Sequence, residues 1–126
     1  RTGTVPPSLQ NAAIEALQAL LERFGGVCVL TGAGTLIGES GRPGVWLCDA
    51  GNPGMASGGM GDVLTGALAA LLAQGLAPLD AARIGVWVHA VAADDAAQQA
   101  GEVGLLASDL LPFIRRRLNQ LARHAR

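Results

Sequence analysis

The sequence predicts an α/β fold that forms part of a larger α/β sandwich. Short apolar, β-rich runs bounded by glycines and turn residues lie between residues 27 and 48. From about residue 60 onward the chain consists of long Ala/Leu-rich stretches with helical periodicity. Strands therefore come early and helices late, without a complete βαβ alternation, so the late helices are expected to cover a sheet whose other strands lie elsewhere.

The chain has 126 residues, enough for one domain with a hydrophobic core and too few for two. Ser8 opens a pattern in which Ala13, Leu17, Leu20, Leu21 and Phe24 share a face, and Gly25-Gly26 ends it. This is an amphipathic helix with a Ser cap and a Gly stop. Val27 to Thr31 reads as a buried strand. Thr35-Leu36-Ile37 and Val45-Trp46-Leu47-Cys48 form two more, joined as a hairpin through Glu39-Ser40-Gly41-Arg42-Pro43-Gly44. After a Gly/Pro/Asn-rich loop from Asp49 to Gly59, one helix is expected from Met60 to Gln74. A second is expected from Leu79 to Ala100, with Ile84, Val88 and Val91 inward. Ser108 is expected to cap a terminal helix, with Pro112 in its first turn, where a missing N–H is tolerated.

Composition removes several chemistries. All nine basic residues are Arg, so neither a Walker-type phosphate loop nor a Schiff base can be built. A formal charge of −1 offers no electrostatic footprint for nucleic acid or an anionic membrane. No stretch reaches the roughly 20 apolar residues of a membrane helix, and no cleavable signal opens the sequence. A cytoplasmic protein is the expectation. Cys28 and Cys48 sit in apolar strand runs and read as free core thiols. Two distant His and no CxxC give a metal site no support. His89 reads as a helix-packing residue, and Asp94-Asp95 and Arg115-Arg116-Arg117 as solvated helix faces.

The segment from Gly51 to Leu64 carries the chemistry. Five glycines in eleven residues, Gly51 to Gly61, precede a long helix. Such a backbone can turn its N–H groups toward one point, and a helix N-terminus adds unpaired amides and partial positive charge. Together they make an anion site suited to a phosphate. Asp62 is out of place there unless it has a task. It either acts as a base on a hydroxyl beside a transferred phosphoryl group or stabilises the helix start, and charge and spacing alone favour the second. Gly32, Gly34 and Gly38 follow a strand in a weak dinucleotide-like spacing. The next element is a strand and not a helix, which argues against a Rossmann reading and for a tight turn. Met55 and Met60 line a pocket or fill the core with equal plausibility. Asn52 before Pro53 is expected to orient the loop.

The run Gly51-Asn52-Pro53-Gly54-Met55-Ala56-Ser57-Gly58-Gly59-Met60-Gly61-Asp62-Val63-Leu64-Thr65-Gly66 resembles the signature of the ATP/ADP-dependent NAD(P)H-hydrate dehydratase family of the ribokinase-like superfamily. Gly32-Ala33-Gly34-Thr35 is similar to that family's nucleotide-binding turn, and Gly104-Leu105-Leu106-Ala107-Ser108-Asp109-Leu110-Leu111 to its C-terminal motif. The resemblance implies a ribokinase-like three-layer α/β/α sandwich, with residues 1–126 as the C-terminal part of a single domain. It implies a hydro-lyase that restores NADH or NADPH from the hydrated form, using ADP or ATP with Mg²⁺. By the same resemblance Asp62 is catalytic and contacts the hydrated dinucleotide. Thr31, Gly32, Ala33, Gly34, Thr35, Gly59, Met60 and Gly61 would bind the nucleotide. The family usually has Lys where this chain has Thr31. Its domains are also longer, with much of the dinucleotide pocket ahead of Arg1, so the chain alone is expected to be inactive. A small-molecule kinase of the same superfamily and a non-catalytic nucleotide-binding module remain the alternatives. A homo-oligomer and an upstream epimerase domain stay open.

Overall fold

A computed structural model describes residues 7–124. Helix α1 (Pro7–Phe24) begins at a proline, whose fixed φ suits a first helical turn, and ends where Gly25 and Gly26 take φ of 67° and 69°. Three antiparallel strands follow, β1 (Val27–Leu30), β2 (Thr35–Glu39) and β3 (Trp46–Cys48), in the order β1-β2-β3. The expected hairpin is present, with Leu36 opposite Leu47. Helices α2 (Met60–Ala73), α3 (Pro78–Ala100) and α4 (Leu110–His124) complete the described chain.

The sheet has a helix layer on each face, which follows from the period of two along β2. Gly38 faces α1, where a Cβ would come within 2.7 Å of Leu21 Cδ1 and 3.2 Å of Leu17 Cδ2. Gly38 thus admits a helix and is no part of a nucleotide turn. Its neighbour Ile37 faces the other way, into a cluster with Leu64 of α2 and Leu79, Ala82 and Val86 of α3. The result is three layers: α1, sheet, and α2 with α3.

Several expectations are corrected by this packing. β1 is half-buried throughout, with only β2 paired to it among the described residues. Leu20 and Phe24 are exposed, since α1 packs along the Leu17–Leu21 line over Gly38. Cys28 and Cys48 are free as expected, yet only half-buried. Helix α4 does not cover the sheet. It packs on α3, placing Leu110 and Ile114 against Val88, Ala92, Ala93 and Ala96. Ser108 does not cap α4, because a short 3₁₀ turn, Ala107–Asp109, comes first. There the Asp109 carboxylate accepts from the Leu106 N–H at 2.9 Å.

Asp94 and Asp95 are not a solvated face. Asp95 accepts two hydrogen bonds from Arg117, from Nε at 2.7 Å and from the terminal nitrogen at 2.6 Å, and this fork ties α3 to α4. The Arg117 hydrogen bond and charge hold the Asp95 carboxyl below its usual range, against the opposing effect of burial. Arg115 and Arg116 do face solvent. The buried face of α3 is wider than Ile84, Val88 and Val91. It includes Ala81, Ala82, Gly85, Ala90, Ala92, Ala93 and Ala96, while Ile84 and Val91 are half-buried.

His89 is buried in α3, as a packing histidine should be, and its Nε2 lies 3.0 Å from the Met60 carbonyl oxygen. With that tautomer the ring N–H donates to the carbonyl. Burial lowers the imidazole pKa, and the bond to Met60 only partly offsets this. A lowered native pKa means that the unfolded chain takes up the proton first. Stability should therefore be full above the unfolded value of about 6.5 and fall as pH drops through it toward the native value. Melting temperature against pH should show this decline, and His89→Gln should flatten it. An unchanged decline in that variant would assign it to other groups.

Candidate functional site

Antiparallel register brings the predicted segments to one end of the sheet. Leu30 pairs with Leu36 and Thr35 with Cys48, so the Thr31–Gly34 turn and the loop after Cys48 leave the sheet at the same end. Thr31, Gly32 and Ala33 are exposed, and Thr35 is half-buried. Gly34 has φ +99°, and a Cβ there would lie 3.1 Å from Leu47 Cδ1. No hydrogen bond among the described residues joins this turn to the start of α2.

The loop itself is held by a small network. Asp94 Oδ2 accepts from the Gly51 N–H at 2.9 Å, and Asp94 Oδ1 accepts from Asn52 Nδ2 at 2.9 Å. Asn52 Oδ1 in turn accepts from the Gly54 N–H at 3.0 Å and caps the 3₁₀ turn Pro53–Met55. Asn52 orients the loop, as its position before proline suggested. Asp94 is the residue that sequence reasoning missed, because nothing in the sequence marks a bond spanning 43 residues. Ser57 was also passed over. Its Oγ is buried with no hydrogen-bond partner among the described residues, so its bonding capacity is unspent.

Helix α2 begins at Gly59, whose φ of 87° is left-handed and which offers no side-chain cap. The first bond of the helix runs from the Val63 N–H to the Gly59 carbonyl at 3.0 Å. The amides of Met60, Gly61 and Asp62 stand ahead of that bond and have no helical acceptor. Met60 offers only its main chain, because its side chain is core, packed with Val88, Leu105 and Leu110. Met55 is half-buried against the same cluster. Gly61 and Asp62 are exposed, and no described hydrogen bond or ion pair engages the Asp62 carboxylate. Helix capping by a hydrogen bond therefore does not account for Asp62. Only the dipole effect remains, about 0.3–1 kcal/mol.

The glycines divide into two kinds. At Gly54 a Cβ would lie 2.6 Å from the Glu102 carbonyl oxygen, and at Gly51 2.8 Å from Met55 Sδ. At Gly59 φ is positive and Ala107 Cβ is 3.3 Å away, so the C-terminal motif packs on the helix start. These three are required by the fold. Gly58 and Gly61 have no neighbour within 4 Å and no positive φ. Neither local packing nor backbone geometry explains them.

A groove of about 580 Å³ lies elsewhere, lined in part by Leu105, Ser108, Phe113 and Arg116. An amide site at a helix start needs exposed N–H groups more than concavity, and Gly58, Gly61 and Asp62 are exposed. The Cys48 thiol is no competing nucleophile, because burial pushes its pKa up and Asp49 and Asp94 add to the effect. Among the described residues no group of three or more His, Cys, Asp or Glu could hold a metal ion, and no helix is long and apolar enough to cross a membrane.

The two kinds of glycine should separate in thermal melts. Gly54→Ala meets a backbone oxygen that cannot swing aside and should cost about 1–3 kcal/mol. Gly58→Ala should stay within about 0.5 kcal/mol. Equal losses would contradict the division.

The sequence profile of NAD(P)H-hydrate dehydratase matches residues 1–116. The bifunctional NAD(P)H-hydrate repair enzyme Nnr of Vibrio cholerae is 57% identical over 104 residues, a match that covers 82% of this chain and 21% of that protein. The ADP-dependent (S)-NAD(P)H-hydrate dehydratase of Neisseria meningitidis is 36% identical over 122 residues, covering 96% of this chain and 41% of that one. Among solved structures, Bacillus subtilis YxkO, described as a member of the UPF0031 family and a putative kinase, superposes with a TM-score of 0.79 at 28% identity. That match spans 94% of this chain and 44% of YxkO. The ADP/ATP-dependent NAD(P)H-hydrate dehydratase of the same organism, co-crystallised with ATP/Mg²⁺, superposes at 0.78 with 28% identity, over 89% of this chain and 40% of its own. The chain thus spans about a fifth of its bifunctional relatives and about two fifths of the shorter ones. The fold is ribokinase-like, an α/β/α sandwich present in part, and with the profile running through the helix start, the Ala107–Asp109 turn and all three sheet-covering helices, the chain belongs to the NAD(P)H-hydrate dehydratase family.

Proposed function

We propose that these 126 residues are the C-terminal part of one domain that dehydrates hydrated NADH and NADPH, with ADP or ATP as phosphoryl donor. One observation carries the reading. Gly58 and Gly61, which the fold does not require, flank free amides at a helix start, with an unengaged carboxylate beside them. A phosphate against those amides explains both glycines, because a Cβ would keep it off the main chain. Names of the relatives support the substrate: the Neisseria protein is an ADP-dependent dehydratase of this hydrate. The half-buried free thiols suit a reducing, cytoplasmic setting.

In this reading the free amides of Met60, Gly61 and Asp62 hold the nucleotide's transferred phosphoryl group, with Gly59 beside it, and Thr31 to Thr35 border the nucleotide. Asp62 takes the proton from the hydroxyl on the hydrated nicotinamide ring. That oxygen bonds to phosphorus as the nucleotide's terminal P–O bond breaks. The ring C–O bond then breaks, phosphate leaves with its electron pair, and loss of a neighbouring C–H proton restores the double bond. Mg²⁺ would neutralise charge on the nucleotide's phosphates. A lone exposed carboxylate suits a cation held mainly by phosphate oxygens and water, not by a protein cage.

In the full-length protein, Asp62→Asn should leave melting temperature and ADP affinity nearly intact. Turnover of hydrated NADH should fall about a hundredfold or more, as expected when a positioned general base is lost. Retained turnover with a clearly lowered melting temperature would make Asp62 a helix-start residue and nothing more.

A further inference from the structure

We infer that α3 positions the glycine loop for anion binding by holding both of its ends, Asp94 at Gly51 and Asn52 and His89 at Met60; the ligand in this inference rests on the nucleotide reading above. The loop between these points is rich in glycine, and glycine forgoes the local restriction that other residues supply. Amides that must converge on one phosphate lose affinity if the backbone wanders, so something outside the loop has to fix it. The contacts that reach it come largely from α3 and the turn just after it. At the entry, the half-buried Asp94 carboxylate accepts from Gly51 N–H and Asn52 Nδ2, both at 2.9 Å. Asn52 passes the constraint on to Gly54 through its own carbonyl oxygen at 3.0 Å. At the exit, the buried His89 holds the carbonyl of the first residue of α2, 3.0 Å away. His89 and Asp94 lie five residues apart, about 7.5 Å along one rigid helix axis. Neither touches the free amides of Gly61 and Asp62. Both act through the loop, as positioning residues.

A hydrogen-bond swap tests this. In Asp94→Asn the new Nδ2 faces Asn52 Nδ2, donor against donor, and the bond between them is lost. In Asn52→Asp/Asp94→Asn the amide at 94 donates to the carboxylate at 52, whose second oxygen still accepts from Gly54. All three bonds can re-form. The full chain, labelled with nitrogen-15, would be titrated with inorganic phosphate and with ADP while the Gly58, Gly61 and Asp62 amide resonances are followed. Expected for Asp94→Asn are displaced amide resonances in the ligand-free chain and phosphate binding weakened about tenfold or more. The swapped pair should return both toward wild type. His89→Leu should behave like Asp94→Asn, whereas His89→Gln, which keeps a donor, should behave like wild type. Amide resonances unmoved in Asp94→Asn would overturn the inference. So would a swapped pair that melts like wild type but keeps displaced resonances. If Asp94→Asn does not fold, the swapped pair decides by the same resonances. If wild type answers neither phosphate nor ADP, the nucleotide reading fails on its own, and the ligand-free resonances still decide whether α3 sets the loop.

Discussion

Helix α3 is packed between the sheet with α2 on one side and α4 on another, and most of the molecule follows from that constraint. The sheet and α2 take one side through Leu79, Ala82 and Val86, and α4 takes another through Val88, Ala92 and Ala96. A helix wedged in this way cannot carry large side chains all round. Close approach favours small residues, and Gly85 shows the limit, since a Cβ there would lie 2.6 Å from Leu68 Cδ2. The Ala-rich composition of α3 is therefore a packing requirement rather than a mere helix preference. The same crowding explains why three of its polar residues are engaged. His89, Asp94 and Asp95 sit where water is partly excluded, and each has found a partner: a carbonyl, a loop or an arginine.

The elements that were legible in the sequence owe their form to local causes. The Gly25-Gly26 stop, the hairpin around Ser40 and the start of α2 after Gly59 each depend on turn residues and periodicity within a short window. What escaped depends on partners distant in sequence. Asp94-Asp95 looked like a solvated face because two adjacent acids on an Ala-rich helix carry no mark of what lies opposite. Their partners, Gly51, Asn52 and Arg117, are 43, 42 and 22 positions away. Ser108 was misread for a smaller reason: the 3₁₀ turn Ala107–Asp109 takes it up before α4 begins at Leu110.

For the candidate site, the sequence located the loop but not the division of labour inside it. Glycine density alone cannot distinguish a backbone that must turn from one that must let something approach. Geometry separates them. Gly51 and Gly59 have positive φ, and Gly54 lies against the carbonyl of Glu102, so these would be glycine in a protein that bound nothing. Gly58 and Gly61 would not. An alanine in an ordinary helical first turn raises helix propensity by roughly 1 kcal/mol over glycine, so Gly61 is a standing cost to stability unless something outside the chain needs the space. The same holds, less strongly, for Gly32 in the turn after β1, whose Cβ would meet only the Gly34 carbonyl oxygen at 4.0 Å. Gly58 and Gly61 fall beside unpaired amides and an unengaged carboxylate, where a bound phosphate would need the space, whereas Gly66, just as open, lies in the interior of α2 away from them.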